Sequence, residues 1–339
     1  METYVIKPEV GFPELEIYNN EEMMDLLGLR DSRKLKVLFR KGGVSKKFTT
    51  FDFNEKKVNE AMTEMCFKSI EKLFKNNNIS PQDIDCVITC CNSSDQQVPG
   101  LSSRLFSRID FRKDIHNYPI YGLGCGAFLA AINMSKSLLK DENMKNVLVV
   151  CCEAQTNSFM DNIDPNNDGK LIGLTIFGDG AAAALVTKDD SFENNKIHVL
   201  DTQVLTHYSD SMTMTNSEVH IDEKLLEKIS PHIQKLVTSL LEKHNIDKNE
   251  VKHWVMHSGG KKILAGVKKL FDLNDDQMKP SVEIYNTCGN MSCASVPAGL
   301  NRLYSLAEEE NYIKNSGELG IVLGFGSGFF LGVSLVRYL

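Results

Sequence analysis

The chain is poor in proline (9 of 339 residues), in tryptophan (1) and in positive charge, with 38 basic residues against 45 acidic ones. Scarce proline together with 42% hydrophobic residues excludes a disordered or low-complexity chain. A net charge of −7 and a pI of about 5.7 exclude a nucleic-acid groove, which needs a basic excess; local basic patches for a phosphorylated ligand stay compatible. Long apolar runs are missing as well. The stretch from Gly320 to Val336 is broken by Gly324, Gly326, Gly328 and Gly332, so no membrane span is expected. Met1 to Asn20 contains Glu2 and Glu9 and no apolar core, which is not the pattern of a secretory leader. Nine cysteines are present, but none in C-x-x-C or C-x-x-H spacing. Cys66, Cys86, Cys90, Cys91, Cys151 and Cys152 sit in apolar runs, where cysteine packs as a small hydrophobe. Neither a disulfide framework nor a zinc site follows from such a set. The expectation is a compact cytoplasmic protein, long enough for two domains or one double domain, with no metal, membrane or nucleic-acid partner.

What is there alternates. Lys57 to Asn76 carries Val58, Ala61, Met62, Met65, Ile70 and Leu73 at helical spacing, and Ile84 to Cys91 follows as a short buried strand. Ala127 to Leu139 reads as a small-residue helix and Asn146 to Cys152 as another buried strand. Helix and buried strand in succession predict α/β layering around a covered sheet.

The pattern then repeats. Leu73-Phe74-Lys75, a turn at Ile79 and a strand ending at Cys90 reappear as Leu241-Glu242-Lys243, a turn at Ile246 and a strand ending at His257. The turn and the strand end are each displaced by 167 residues (79 to 246, 90 to 257). Cys125 then falls 35 residues after Cys90, and Asn290 falls 33 after His257, both in glycine-flanked turns before small residues. Val147 to Cys152 matches Leu319 to Gly324 as a third element. A period this long means a duplicated domain rather than a solenoid. Coincidence between two ordinary αβ units is the competing reading.

Three residues at the turns carry chemistry. Cys125, in Gly124-Cys125-Gly126 before a helix, has the flexible flanks of a strained turn and a helix N-terminus that favours thiolate. His257 ends a strand before Ser258-Gly259-Gly260, at a sheet edge where α/β proteins bind ligands. Asn290 stands in Gly289-Asn290-Met291-Ser292. Each alone is equally a small core residue, a capping histidine or a left-handed turn asparagine. Together they make a nucleophile with two hydrogen-bond donors. Asp179, in Gly178-Asp179-Gly180, reads as a turn residue bonding backbone amides, and Asp161 to Lys170 as a polar loop lacking the closing glutamate of a calcium site.

Gly124-Cys125-Gly126, Phe177-Gly178-Asp179-Gly180, His257-Ser258-Gly259-Gly260, Gly289-Asn290-Met291-Ser292 and Gly324-Phe325-Gly326-Ser327-Gly328 occur in that order. The chain resembles the thiolase superfamily of condensing enzymes from about Val58 to Leu339, and within it the type III polyketide synthases of the chalcone synthase and 3,5-dihydroxyphenylacetyl-CoA synthase kind. It is also similar to ketoacyl synthase III, where the histidine is usually followed by Gln-Ala-Asn. The resemblance implies a duplicated αβαβα five-layered α/β fold, with residues 1–190 as the nucleophile half and 191–339 as the half with His257 and Asn290.

It further implies decarboxylative Claisen condensation of malonyl-CoA with an acyl-CoA through acyl-Cys125, with His257 and Asn290 donating to the enolate and His257, if protonated, holding the thiolate. Acyl carrier protein is the alternative donor. Gly326 and Ser327 would lie beside the nucleophile, and Arg40, Lys41, Lys46 and Lys47 would meet CoA phosphates. No cofactor beyond the CoA thioesters is implied, and a homodimer is, joined through Val147 to Cys152. A non-catalytic partner subunit would normally lose the nucleophile, and a degradative thiolase would place a second cysteine near 324–328. HMG-CoA synthase-like chemistry would want an acidic base near Cys125. The aromatic gatekeepers of the plant enzymes cannot be assigned in 190–240.

Overall fold

The computed structural model describes residues 2–339 apart from 18, 161–166, 193–194, 216–217 and 311. The near-continuous apolar runs are strands buried on both faces. Along Asn146–Glu153, Val147, Val149 and Cys151 enter one core while Leu148, Val150 and Cys152 enter another. Leu319–Phe325 does the same, with Val322 on one side and Ile321 and Leu323 on the other. Period-two alternation between two apolar cores explains why no polar stripe marks these strands.

The two halves share a wiring. Cys86–Cys90 runs parallel to Asn146–Glu153, which pairs antiparallel with Gly180–Thr187. In the second half Val251–Met256 runs parallel to Leu319–Phe325, which pairs antiparallel with Phe330–Tyr338. The repeated turns agree in detail. Ser80 and Asp83 form a reciprocal capping box, as do Asp247 and Glu250, and each box follows a left-handed asparagine, Asn78 or Asn245. Tyr4–Ile6 pairs on one side with Gly180–Thr187 and on the other with Lys196–Thr206, joining the halves into one ten-stranded sheet. Gly180–Thr187 and Lys196–Thr206 are consecutive strands of the chain, on either side of Tyr4–Ile6.

Helices complete five layers. Met62–Asn77 covers the outer face of the first half and Leu225–Lys243 that of the second. Between the halves lie Ala127–Leu138 and Ser295–Glu310, packed on strands from both. Their close fit depends on absent side chains: a Cβ on Gly332 or Gly324 would meet Leu129 at 2.4 or 2.7 Å. No described helix is long and apolar enough to cross a membrane.

Several expectations change. The helix expected from Lys57 starts at Met62, because Lys57–Val58 pairs with Phe51–Asp52 in a small ladder. Val147 to Cys152 cannot join two copies, since both of its edges are hydrogen-bonded within the chain and its side chains are buried. The outermost strand of that half is His116–Ile120, just before the Gly124–Gly126 turn. Of the polar loop, Asp161 to Asn166 lies outside the described residues; Asn167 caps the helix Asp168–Ile176.

Asp179 is the turn anchor that its setting suggested. Buried completely, its carboxylate accepts from the amide and hydroxyl of Thr50, both at 2.8 Å, and from the amide of Thr156 at 2.9 Å and its hydroxyl. Replacing it strands two buried amides. Asp179→Ala is expected to lower stability by about 2–4 kcal/mol, read as the shift of the urea unfolding midpoint; an unchanged midpoint would refute the anchoring role.

Candidate active site

Cys125 occupies a single 3₁₀ turn, Gly124–Gly126, that runs directly into helix Ala127–Leu138. Gly124 holds φ +55°, a left-handed backbone that suits glycine. Gly126 is compressed against Phe330, which a Cβ would meet at 2.6 Å. Gly326 backs the turn so closely that a Cβ there would stand 3.0 Å from the amide nitrogens of Cys125 and Gly126. Ser327 lies on the same side, against Gly124.

His257 leaves the strand Val251–Met256 with its amide still bonded to the Leu323 carbonyl at 2.8 Å. Its ring meets Phe325 edge-on at 5.3 Å, and Nδ1 has no hydrogen-bond partner among the described residues. Asn290 follows Gly289 (φ +72°) and is locked by its amide to the Ile176 carbonyl at 2.7 Å. Its Oδ1 accepts from the Ser292 amide at 2.8 Å, which leaves the Nδ2 donor for the cavity. Cys125, His257 and Asn290, all nearly buried, line one cavity of about 440 Å³.

Burial dominates the electrostatics. It pushes the Cys125 thiol up to about 12, a hydrogen bond with Ser292 opposes the shift, and the Glu153 carboxylate adds to it. Burial alone drives His257 down to about 3. Burial thus disfavours the charged form of each group taken by itself.

Two residues the sequence reading passed over complete the site. Ser292 Oγ lies 3.5 Å from Cys125 Sγ. Its signal was available: Ser292 stands 167 residues after Cys125, the spacing of the repeat itself. Behind the turn, fully buried Glu153 accepts from the amides of Asn92 and Ser93, the Ser93 hydroxyl, and the side-chain amides of Asn92 and Gln155. The remaining wall includes Met212, Val219 and Ile221 from a hairpin in the stretch that sequence reasoning left unassigned.

The basic residues separate. Lys41 lies at the cavity mouth, on the last turn of helix Arg33–Gly42, joined by Lys261 and Lys262. Arg40 is exposed on the same helix turn and is not part of the cavity wall. Lys46 pairs with Glu16 at 2.9 Å. Lys47 is no phosphate ligand: its ammonium is buried against the Leu174 carbonyl, and burial lowers it to about 7.

Sequence and structure comparisons place this geometry. A family model described as FAE1/type III polyketide synthase-like protein matches residues 44–246, more than half the chain. The chain belongs to that family. A model of the chalcone and stilbene synthase C-terminal domain matches residues 201–339 of this type III polyketide synthase-like protein. Beta-ketoacyl-[acyl-carrier-protein] synthase III from Campylobacter jejuni (serotype O:6) is 27% identical over 293 residues, 83% of this chain and 84% of the relative. The same enzyme from strain RM1221 matches equally. The C-terminal type III polyketide synthase domain of Steely1, a hybrid synthase from Dictyostelium, superposes with TM-score 0.83 and 18% identity, over 100% of this chain and 99% of that one. The fold is thiolase-like, and the protein is an acyl-transferring condensing enzyme.

The burial of Cys125 has a kinetic signature. Iodoacetamide alkylation of Cys125, followed by peptide mapping, is expected to rise about tenfold per pH unit from neutrality to about pH 10, since only thiolate reacts. A plateau beginning below pH 8 would instead reveal a stable thiolate–imidazolium pair.

Proposed function

We propose that this type III polyketide synthase-like enzyme condenses malonyl-CoA with an acyl-CoA starter through acyl-Cys125. The observation that carries the reading is the convergence of Cys125, His257 and Asn290, from three distant turns, on one cavity wall. In the first step the Cys125 thiol passes its proton to His257 and the sulfur attacks the thioester carbonyl. The C–S bond to CoA breaks, and CoA leaves with the proton. Backbone amides at Cys125, backed by Gly326, suit the oxyanion formed in this step.

In the second step malonyl-CoA loses CO₂, and the electron pair moves onto the thioester oxygen as an enolate. His257 and Asn290 Nδ2 donate to that oxygen. A neutral imidazole is the right donor, because it polarises the oxygen without carrying an acidic proton that would quench the carbanion. One such donor is typically worth about 2.7–4 kcal/mol. The enolate carbon then attacks acyl-Cys125, a C–C bond forms, and the C–S bond returns its electrons to the thiolate. Lys41, with Lys261 and Lys262 across the opening, would meet the CoA phosphates.

The competing donor is acyl carrier protein, after which the Campylobacter relatives are named. Ser258-Gly259-Gly260 after His257 favours free CoA thioesters. Malonyl-CoA decarboxylation is expected without any carrier protein. His257→Ala or Asn290→Ala should abolish it, and Cys125→Ala should leave it running while ending condensation. Decarboxylation seen only with malonyl carrier protein would give the competing donor the reaction.

Two copies are proposed to associate beside His116–Ile120, where Tyr121 is 70% and Val98 86% exposed. Light scattering should return twice the 38.0 kDa of one chain, and Tyr121→Asp should weaken the association. A monomer at micromolar concentration would exclude it.

A further inference from the structure

The nucleophile turn has an anchor that the reaction chemistry does not require. Asn92 follows the strand Cys86–Cys90 and Cys91, and it is neither in the cavity wall nor a neighbour of the thiol in sequence. Its Oδ1 accepts from two amides of the turn, Gly122 at 3.1 Å and Gly124 at 3.0 Å. Both of those glycines hold left-handed backbone, with φ of +82° and +55°. Its Nδ2 donates to Glu153 Oε1 at 2.6 Å, and its own amide donates to the same carboxylate at 3.1 and 3.2 Å. The carboxamide is thereby oriented without ambiguity: nitrogen to the carboxylate, oxygen to the glycines. Glu153, fully buried, is itself fixed by Ser93, Gln155 and Cys293.

We infer that Asn92 is a positioning residue for acyl transfer, clamping the Gly122–Gly124 backbone to Glu153 so that the Cys125 sulfur and amide face the incoming thioester together. Resting on the condensing reading, this goes beyond it by separating two half-reactions. Acylation of Cys125 needs the turn in register with Gly326 behind it. Decarboxylation needs His257 and Asn290, which are held by Leu323 and Ile176, and Asn92 touches neither. Simple alkylation needs only a reachable sulfur. The clamp should therefore affect the first process and spare the other two.

The test uses the full-length protein and Asn92→Ala. Acylation of Cys125 by acyl-CoA, followed by intact mass, is expected to fall about ten- to a hundredfold, the usual cost of a small misplacement of a reacting group. Iodoacetamide alkylation of Cys125 should stay within about threefold, and malonyl-CoA decarboxylation in a Cys125→Ala background should be unchanged by adding Asn92→Ala. Acylation within about twofold of the parent overturns the inference, as does an equal fall in all three rates, which would make Asn92 only structural.

Asn92→Asp supplies a test should the alanine variant fail to fold. The carboxyl group it introduces would, when ionised, face the Glu153 carboxylate across the present hydrogen bond; when protonated it would donate to Glu153 and still accept from the glycines. Besides Glu153, the thiol of Cys293 is the other titratable group hydrogen-bonded at this spot. Acylation by Asn92→Asp should recover on acidification and pass through a maximum, while the parent's rate climbs with pH. Parallel profiles overturn the inference. A parent that accepts no acyl group from any acyl-CoA overturns the condensing reading itself, a result distinct from a parent that is acylated and a variant that matches it.

Discussion

Two helix-starting turns, one from each half, are pressed together at the centre of the molecule, and the rest of the fold makes that approach bearable. Cys125 opens helix Ala127–Leu138 and Ser292 opens the run into Ser295–Glu310, with 3.5 Å between sulfur and oxygen. Such proximity needs backbone without side chains around it, hence Gly124, Gly126, Gly324, Gly326 and Gly332, each of which a Cβ would bring into contact with a neighbouring element. It also needs both helices buried between the two halves, where large apolar strand faces drive them inward. The two turns that meet are equivalent positions of the repeat, 167 residues apart.

The same packing decides protonation. Burial raises the Cys125 thiol and lowers the His257 imidazole, each away from its charged form. In the proposed reaction, charge develops only when a thioester brings an oxygen that can take it. The two donors proposed for that oxygen, Asn290 and His257, have their backbones fixed by main-chain bonds to Ile176 and Leu323. Preorganised neutral donors lose nothing to reorganisation as the charge appears.

Much of this was legible from residues alone, because the signals were local. Buried strands showed as apolar runs at Ile84–Cys91 and Asn146–Cys152, and the repeat showed as a capping turn copied from Ile79 to Ile246. The convergence of Cys125, His257 and Asn290 followed from that repeat. What failed were inferences that depend on the third dimension. Lys47 reads as basic surface in Lys46-Lys47, yet it opens the wholly buried strand Lys47–Thr49, near Asp179, while Lys46 stays near Glu16. Val147 to Cys152 reads as a strand able to pair, but nothing in its residues says that both edges are already taken. Ser292 was missed through aligning Cys125 with Asn290 by neighbouring glycines instead of by the 167-residue displacement.

Glu153 shows how a costly group can be kept at the centre of such a site. A buried carboxylate is tolerated when its lone pairs are filled, and here the hydrogen-bond partners are amides, a hydroxyl and a thiol rather than a lysine or arginine. A cation would have cancelled the field at Cys125 and pulled the thiol down. Neutral donors satisfy the oxygens while leaving the negative field in place, so Glu153 helps to keep Cys125 protonated. Its donors come from both halves, with Asn92 and Ser93 leading to the nucleophile turn and Cys293 adjoining Ser292. A charge that is unfavourable by itself becomes the point through which the two halves hold their turns in register, and a neutral acceptor of the same shape would offer fewer lone pairs for that task.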